Sequence, residues 1–145
     1  DKLVEHAQYV DNYYGTPRDY VEHKLEDGFD VILEIEIQGA LKIREKFPDT
    51  VLMFLMPPTA DELKKRLEGR GTEDEATIKK RLLRAVEESQ GVEEYDYIVI
   101  NDVLDDCVEQ IHEIIGNEHC KASNNLEKIN QFRDELTNMW KGDIR

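Results

Sequence analysis

Four of the eight arginines in this 145-residue chain fall in one stretch, RLEGRGTEDEATIKKRLLR, as Arg66, Arg70, Arg81 and Arg84. The formal net charge is −14, so this clustering runs against the rest of the composition. Gly69 and Gly71 flank Arg70, and glycine backbone bends where other residues resist. A guanidinium offers a planar fork of donors that matches phosphate oxygens, and it stays charged at any physiological pH. The chemistry on offer is therefore neutralisation of phosphate charge. An arginine on a helix otherwise pairs with an acid one turn away. Arg66 has Glu62 for this, and Arg84 has Glu87 and Glu88. Arg81 has none, because Thr77, Ile78, Arg84 and Ala85 stand three and four positions from it. Its anion is expected from outside the chain.

Glu34 and Glu36 form a second group, on one face of the apolar stretch FDVILEIEI. In open α/β sheets, ligands sit at the ends of such strands. Two acids near a phosphate site suit a Mg²⁺ water shell, an arginine partner or a nucleobase edge. Glu5 and Thr16 form a third group. Guanine presents two donors, N1–H and the exocyclic amine, beside the acceptor O6. A carboxylate takes both donors, and a hydroxyl donates to O6. Adenine reverses donor and acceptor on that edge and would leave a buried acid unpaired, at about 1–3 kcal/mol per group.

These residues need elements to hold them, and the pattern supplies an alternation of strands and helices. The length is one domain's worth, enough to bury a core. LVEHAQYV, Leu3–Val10, reads as a short strand, and NYYGTP, 12–17, as a turn. Thr16 and Pro17 predict a helix start, with the hydroxyl as cap, running to about Glu26 and ending at Gly28. Phe29–Ile37 is the clearest strand, with Val31, Leu33, Ile35 and Ile37 on one face. Gln38–Ala40 turns into a helix from Leu41 to about Lys46, stopped by Pro48. VLMFLM, 51–56, and YIVIN, 97–101, read as strands buried on both faces. Thr59 and Glu62 make a capping box for the helix that bears Leu63 and Leu67. Further helices are predicted over 75–88, with Ile78, Leu82, Ala85 and Val86 inward, and over 104–115, with Leu104, Val108, Ile111 and Ile115. An amphipathic helix over 124–140 closes the series, with Leu126, Ile129, Phe132, Leu136, Met139 and Trp140 on its stripe. Strands separated by helices predict an α/β fold with a largely parallel sheet.

The acidic surface argues against nucleic acid as a partner. No apolar run is long enough to span a membrane. Cys107 and Cys120 are too few for a disulfide framework and read as reduced thiols of a cytoplasmic protein.

EHAQYVDNYYGTP, ILEIEIQGA, KRLEGRGTEDEATIKKRL and YIVIND, in this order and spacing, closely resemble the guanylate kinases, from about Leu3 to Ile115. The resemblance implies a P-loop nucleoside-monophosphate-kinase fold and the transfer of a phosphoryl group from ATP to GMP with Mg²⁺. It implies that Glu5 and Glu36 bind the guanine donors, that Thr16 reaches O6, and that Tyr14, with Gly15, contacts the GMP phosphate. Arg66, Arg70 and Arg81 match the arginines that neutralise the phosphates, with Arg66 and Arg70 also serving ATP. Asn101 and Asp102 match a segment near the adenine of ATP. Glu34 is left between a magnesium shell and the orienting of an arginine.

One departure is large. The family's glycine-rich P-loop, G-x-x-x-x-G-K-[ST], occurs nowhere in these 145 residues. The chain is therefore expected to be the C-terminal part of such an enzyme, and to bind ATP poorly by itself. On this reading residues 1–28 end the GMP-binding region and 29–58 are core strands and helix. Residues 59–91 are the lid region and its following helix, 92–117 are core, and 118–145 are a helical extension. The rival expectation is a guanylate-kinase-like module that has lost catalysis and binds partner peptides. Oligomeric state is not legible.

Overall fold

The computed structural model describes residues 3–9, 12–69, 71 and 74–143, with side chains described from Pro17 onward except at Asp143. Two strands, β1 (Leu3–Tyr9) and β2 (Asn12–Pro17), pair antiparallel. The segment expected to turn is thus itself a strand. Leu3 faces Pro17 and Tyr9 faces Asn12, with an irregularity between Leu3 and Glu5. Helix α1 (Arg18–Glu26) follows directly. Its N-cap is Pro17 rather than Thr16, and the cap residue makes no side-chain hydrogen bond. The predicted end at Gly28 holds. Gly28 takes φ +85°, its N–H donates to the Leu25 carbonyl, and the Phe29 N–H donates to that of Lys24. These two bonds satisfy carbonyls the helix would leave open, and glycine suits the left-handed step they need.

The expected strand 29–37 is the main correction. Residues 29–36 belong to no ladder, and Ile37 already starts helix α2 (Ile37–Lys46). The alternation predicted for the segment survives without the strand. Val31, Leu33 and Ile35 pack on buried Val21 of α1 and Ile43 of α2, while Ile32 and Glu34 are exposed. Side-chain alternation follows from extended backbone alone, but a strand also needs a neighbour to take its hydrogen bonds. Among the described residues no strand pairs with it.

Helix α2 begins four residues earlier than predicted because Glu36 caps it. The Glu36 carboxylate accepts from the N–H of Gln38 and of Gly39, each at 2.9 Å. Two of the amide donors orphaned at a helix start are satisfied in this way. The helix stops at Lys46, ahead of Pro48 as expected. Its buried residues are Ile37, Gly39, Ala40 and Ile43. Ile37 reaches a close seat at Gly91, where a Cβ would come within 2.6 Å of its Cδ1 atom.

Strands β3 (Met53–Met56) and β4 (Tyr97–Ile100) form a two-stranded parallel sheet, with Met53 opposite Tyr97 and Met56 opposite Ile100. Both are shorter than predicted, and burial on both faces is not observed. Val99 is fully buried, but Leu55 is 50 % exposed and Ile98 and Ile100 lie open on β4. The sheet is pinned to α2 by Asp96. Its carboxylate accepts from the Leu52 N–H at 2.8 Å and from Arg44 of α2 at 2.5 Å. Arg44 also donates to the Glu94 carbonyl. The Phe54 and Tyr95 rings meet edge to face, with centroids 5.2 Å apart.

Helix α3 (Ala60–Gly69) is capped as predicted, the Thr59 hydroxyl accepting from the Glu62 N–H at 3.1 Å. The Glu62 carboxylate accepts from Arg66 at 2.9 Å. Helix α4 (Glu75–Ser89) is capped by Asp74, which accepts from the Thr77 N–H at 2.8 Å. Of its expected apolar side, Ile78, Leu82 and Ala85 are half-buried and Val86 is exposed. Helices α3 and α4 pack on each other.

Residues Asp1–Ile100 and Asn101–Arg145 form two compact units. The second unit holds α5 (Leu104–His119) and α6 (Leu126–Asp143). Helix α5 is four residues longer than predicted, and its buried positions are Cys107, Ile114 and Glu118. The buried stripe thus lies one residue away from the expected one, and Leu104 and Val108 are exposed. On α6 the stripe exists, but Leu126, Phe132, Leu136, Met139 and Trp140 are exposed and Ile129 is half-buried. A period of 3.6 sorts residues into faces without saying which face finds a partner.

Candidate functional site

The hairpin brings together the first pair of sequence candidates. Glu5 and Thr16 are register partners across the β1–β2 ladder, as are His6 with Gly15 and Ala7 with Tyr14. All four expected GMP contacts outside Glu36 therefore lie on one short ladder. Strand β1 also runs beside α2, the helix that Glu36 caps, and beside α1. Two strands that are eleven residues apart in sequence at Glu5 and Thr16 become adjacent because 3–9 and 12–17 exchange backbone hydrogen bonds.

Glu36 is the best-defined of the candidates. Besides capping α2, it accepts from Nη2 of Arg84 at 3.1 Å. An arginine is thus one partner of this acid. Arg84 sits on α4 and reaches three carboxylates: Glu36 at 3.1 Å, Glu87 at 3.1 Å and Glu88 at 3.2 Å. The sequence indicated the last two, one turn on. The bond to Glu36, 48 residues away, left no local signal. This cluster is sheltered, with 18 % of the Arg84 side chain and 13 % of that of Glu36 exposed.

Burial and charge in this cluster shift Glu88, Arg84 and the nearby Tyr95. Burial pushes the Glu88 carboxyl above its ordinary value; Arg84 opposes that rise and the Glu36 charge adds to it. Burial alone would lower the Arg84 pKa, but its bonds to Glu87 and Glu36 and the nearby Glu88 charge hold it above the usual value. Burial, then the charges of Glu88 and Glu36, push the Tyr95 hydroxyl up to about 12. Three carboxylates thus surround one fixed guanidinium.

Glu34 is exposed and takes no part in this cluster. Among the described residues no three His, Cys, Asp or Glu side chains gather to hold a metal. Arg66 is half-buried on α3 and paired with Glu62 at 2.9 Å, the partner expected from the sequence. Arg70 lies outside the described residues. Arg81 lies on α4, one turn before Arg84, and is half-buried. It makes an interaction within the chain. Asn101, half-buried, and exposed Asp102 belong to the second compact unit.

Comparison with known proteins gives this arrangement a context. A family model described as guanylate kinase matches residues 1–118. The chain is 48 % identical over 135 residues to a guanylate kinase of Latilactobacillus sakei, and 50 % identical over 132 residues to one of Halalkalibacterium halodurans. These alignments cover 93 % and 91 % of this chain, and 66 % and 65 % of the relatives. The chain therefore spans about two thirds of the length of the curated relatives it matches. A crystal structure of guanylate kinase from Anaplasma phagocytophilum superposes with a TM-score of 0.72 at 30 % identity, over 91 % of this chain and 65 % of that one.

Proposed function

This chain belongs to the guanylate kinase family, and from that premise we propose that it carries the acceptor side of an enzyme transferring the γ-phosphoryl group of ATP to GMP or dGMP. The observation that best supports guanine as the base is the register pairing of Glu5 with Thr16, on a strand beside the helix that Glu36 caps. In this reading Glu5 and Glu36 accept from the guanine donors, and Thr16 donates to O6. Tyr14 and Gly15 meet the GMP phosphate. Arg66, Arg70 and Arg81 spread the charge of the passing phosphoryl group, which needs positioning and electrostatic stabilisation more than covalent help. Asn101 and Asp102 stand toward the ATP adenine. Mg²⁺ prefers a few waters, substrate phosphates and one or two carboxylates. We assign it to the ATP phosphates, with Glu34 able to hold a water of its shell. We place the enzyme in the cytoplasm, with no nucleic-acid partner. Among the described residues no helix is long and apolar enough to cross a membrane. No finding favours the rival reading of a catalytically dead module.

Because Glu5, Tyr14, Gly15, Thr16 and Glu36 lie in these 145 residues, base selectivity tests the proposal. Calorimetric titration of the chain should show GMP binding at least about tenfold tighter than AMP, about 1.4 kcal/mol of discrimination. Equal affinities would sink the guanine assignment.

A further inference from the structure

Glu36 has little capacity left for a ligand, and one residue largely decides how that capacity is aimed. A carboxylate offers about four lone-pair sites. Among the described residues Glu36 already fills three. Its Oε2 accepts from the Gln38 N–H at 2.9 Å and from Arg84 at 3.1 Å, and its Oε1 accepts from the Gly39 N–H at 2.9 Å. Among the described residues one site is left, on Oε1. The two amides fix the carboxylate at the start of α2, and Arg84 fixes its rotation by holding the oxygen the base cannot use.

We infer that Arg84 is a positioning residue for guanine recognition, holding the Glu36 carboxylate turned so that Oε1 presents a single acceptor to a guanine N–H. This deepens the proposed function and rests on its guanine assignment. Arg84 suits the task because three acids hold its charge: Glu87 accepts from Nη1 at 3.1 Å, Glu36 accepts from Nη2 at 3.1 Å, and Glu88 lies 3.2 Å from Nε as an ion pair. A planar, tethered fork loses little freedom on pairing, whereas a lysine would divide one ammonium among three acids. Arg84 also sits one turn from Arg81 on α4. Its bond to Glu36 thus ties the base-reading carboxylate to the helix that carries a phosphate arginine. A base that satisfies Oε1 and a phosphate that engages Arg81 would be registered through one ion pair. Arg84 itself touches neither.

The test compares GMP and AMP affinities of the chain by calorimetry for wild type, Arg84→Gln, Arg84→Lys, Glu36→Gln and the Glu36→Gln/Arg84→Gln double variant. Far-UV circular dichroism confirms that each is folded. A purely structural role would weaken both nucleotides alike and leave their ratio unchanged. Positioning predicts that Arg84→Gln lowers the GMP-to-AMP preference by at least about fivefold, with Arg84→Lys intermediate, and that it lowers the preference no further once Glu36 is Gln. A ratio in Arg84→Gln within about twofold of wild type, or the same loss with and without Glu36, overturns the inference while leaving the guanine assignment standing. Should Arg84→Gln fail to fold, Arg84→Lys decides in its place, and a wild-type ratio there overturns the inference equally. Equal affinity of the wild type for GMP and AMP overturns the guanine assignment, and this inference with it.

Discussion

At the scale of single residues, the chain concentrates its tension around Arg84. Glu88 shows it most directly, since burial disfavours its charge and the Glu36 charge adds to the cost, while Arg84 only partly offsets them. Its folded pKa is raised above the ordinary 4.5. The sign follows from linkage: a raised carboxyl contributes stability that is present below the unfolded pKa and lost as pH rises through the folded one. Glutamine copies the protonated form without titrating. Glu88→Gln is therefore expected to melt above wild type near neutral pH, with the gap closing as pH falls below about 4.5. Thermal melts of both proteins from pH 4 to 8 check this, and a lower melting temperature for Glu88→Gln at pH 7 would contradict it.

Elements differ in how completely their apolar residues are covered. In β4, Val99 is sealed while its neighbours Ile98 and Ile100 are open, and in β3 Leu55 is half exposed. Burying a valine side chain fully is worth about 1.5–3 kcal/mol, and truncation leaves a cavity besides. Val99→Ala should therefore cost about 2 kcal/mol or more. Ile98→Thr keeps the branched shape and strand preference at an open position, and should stay within about 0.5 kcal/mol. Urea unfolding of the two variants separates the cases; equal losses would show that β4 is covered on both faces in solution. The same contrast runs along α6, whose apolar stripe is regular yet exposed.

Across the whole molecule, charge outweighs other surface effects. A net charge of −14 on 145 residues repels itself, and the mixed-sign pairs on the surface, such as Arg18 with Glu22, are weak by comparison. Screening shortens from about 30 Å at 0.01 M salt to about 3 Å at 1 M. Added sodium chloride should therefore raise the melting temperature of this chain. A melting temperature that falls through a titration from about 10 mM to about 500 mM would mean that local ion pairs outweigh the global repulsion. The same field bears on ligands. A nucleotide phosphate approaching this surface needs the positive segment 66–84 to offset it, which is where the arginines are gathered.

The sequence by itself pointed to the family, to most of the helices, to the Thr59 cap and to the Gly28 stop, because these rest on residues close in the chain. Thr59 and the Gly28 stop act over three to five positions, and Arg66 finds Glu62 within one turn. Alternation in 31–35 was equally legible, since a side chain's direction follows from its own backbone. Whether that segment becomes a strand was not, because a ladder depends on a neighbour that no local pattern names. Nor was it legible that NYYGTP pairs rather than turns, or that Leu104 and Val108 lie outside the buried stripe of α5. The Glu36–Arg84 bond is the sharpest case. Each residue had a local explanation, one as a strand acid and the other as a helix arginine with acids one turn on. Only the packing that carries α4 to the start of α2 brings a guanidinium within 3.1 Å of that carboxylate. Contacts over 48 positions are chosen by which surfaces bury together, and spacing along the chain holds no record of that choice.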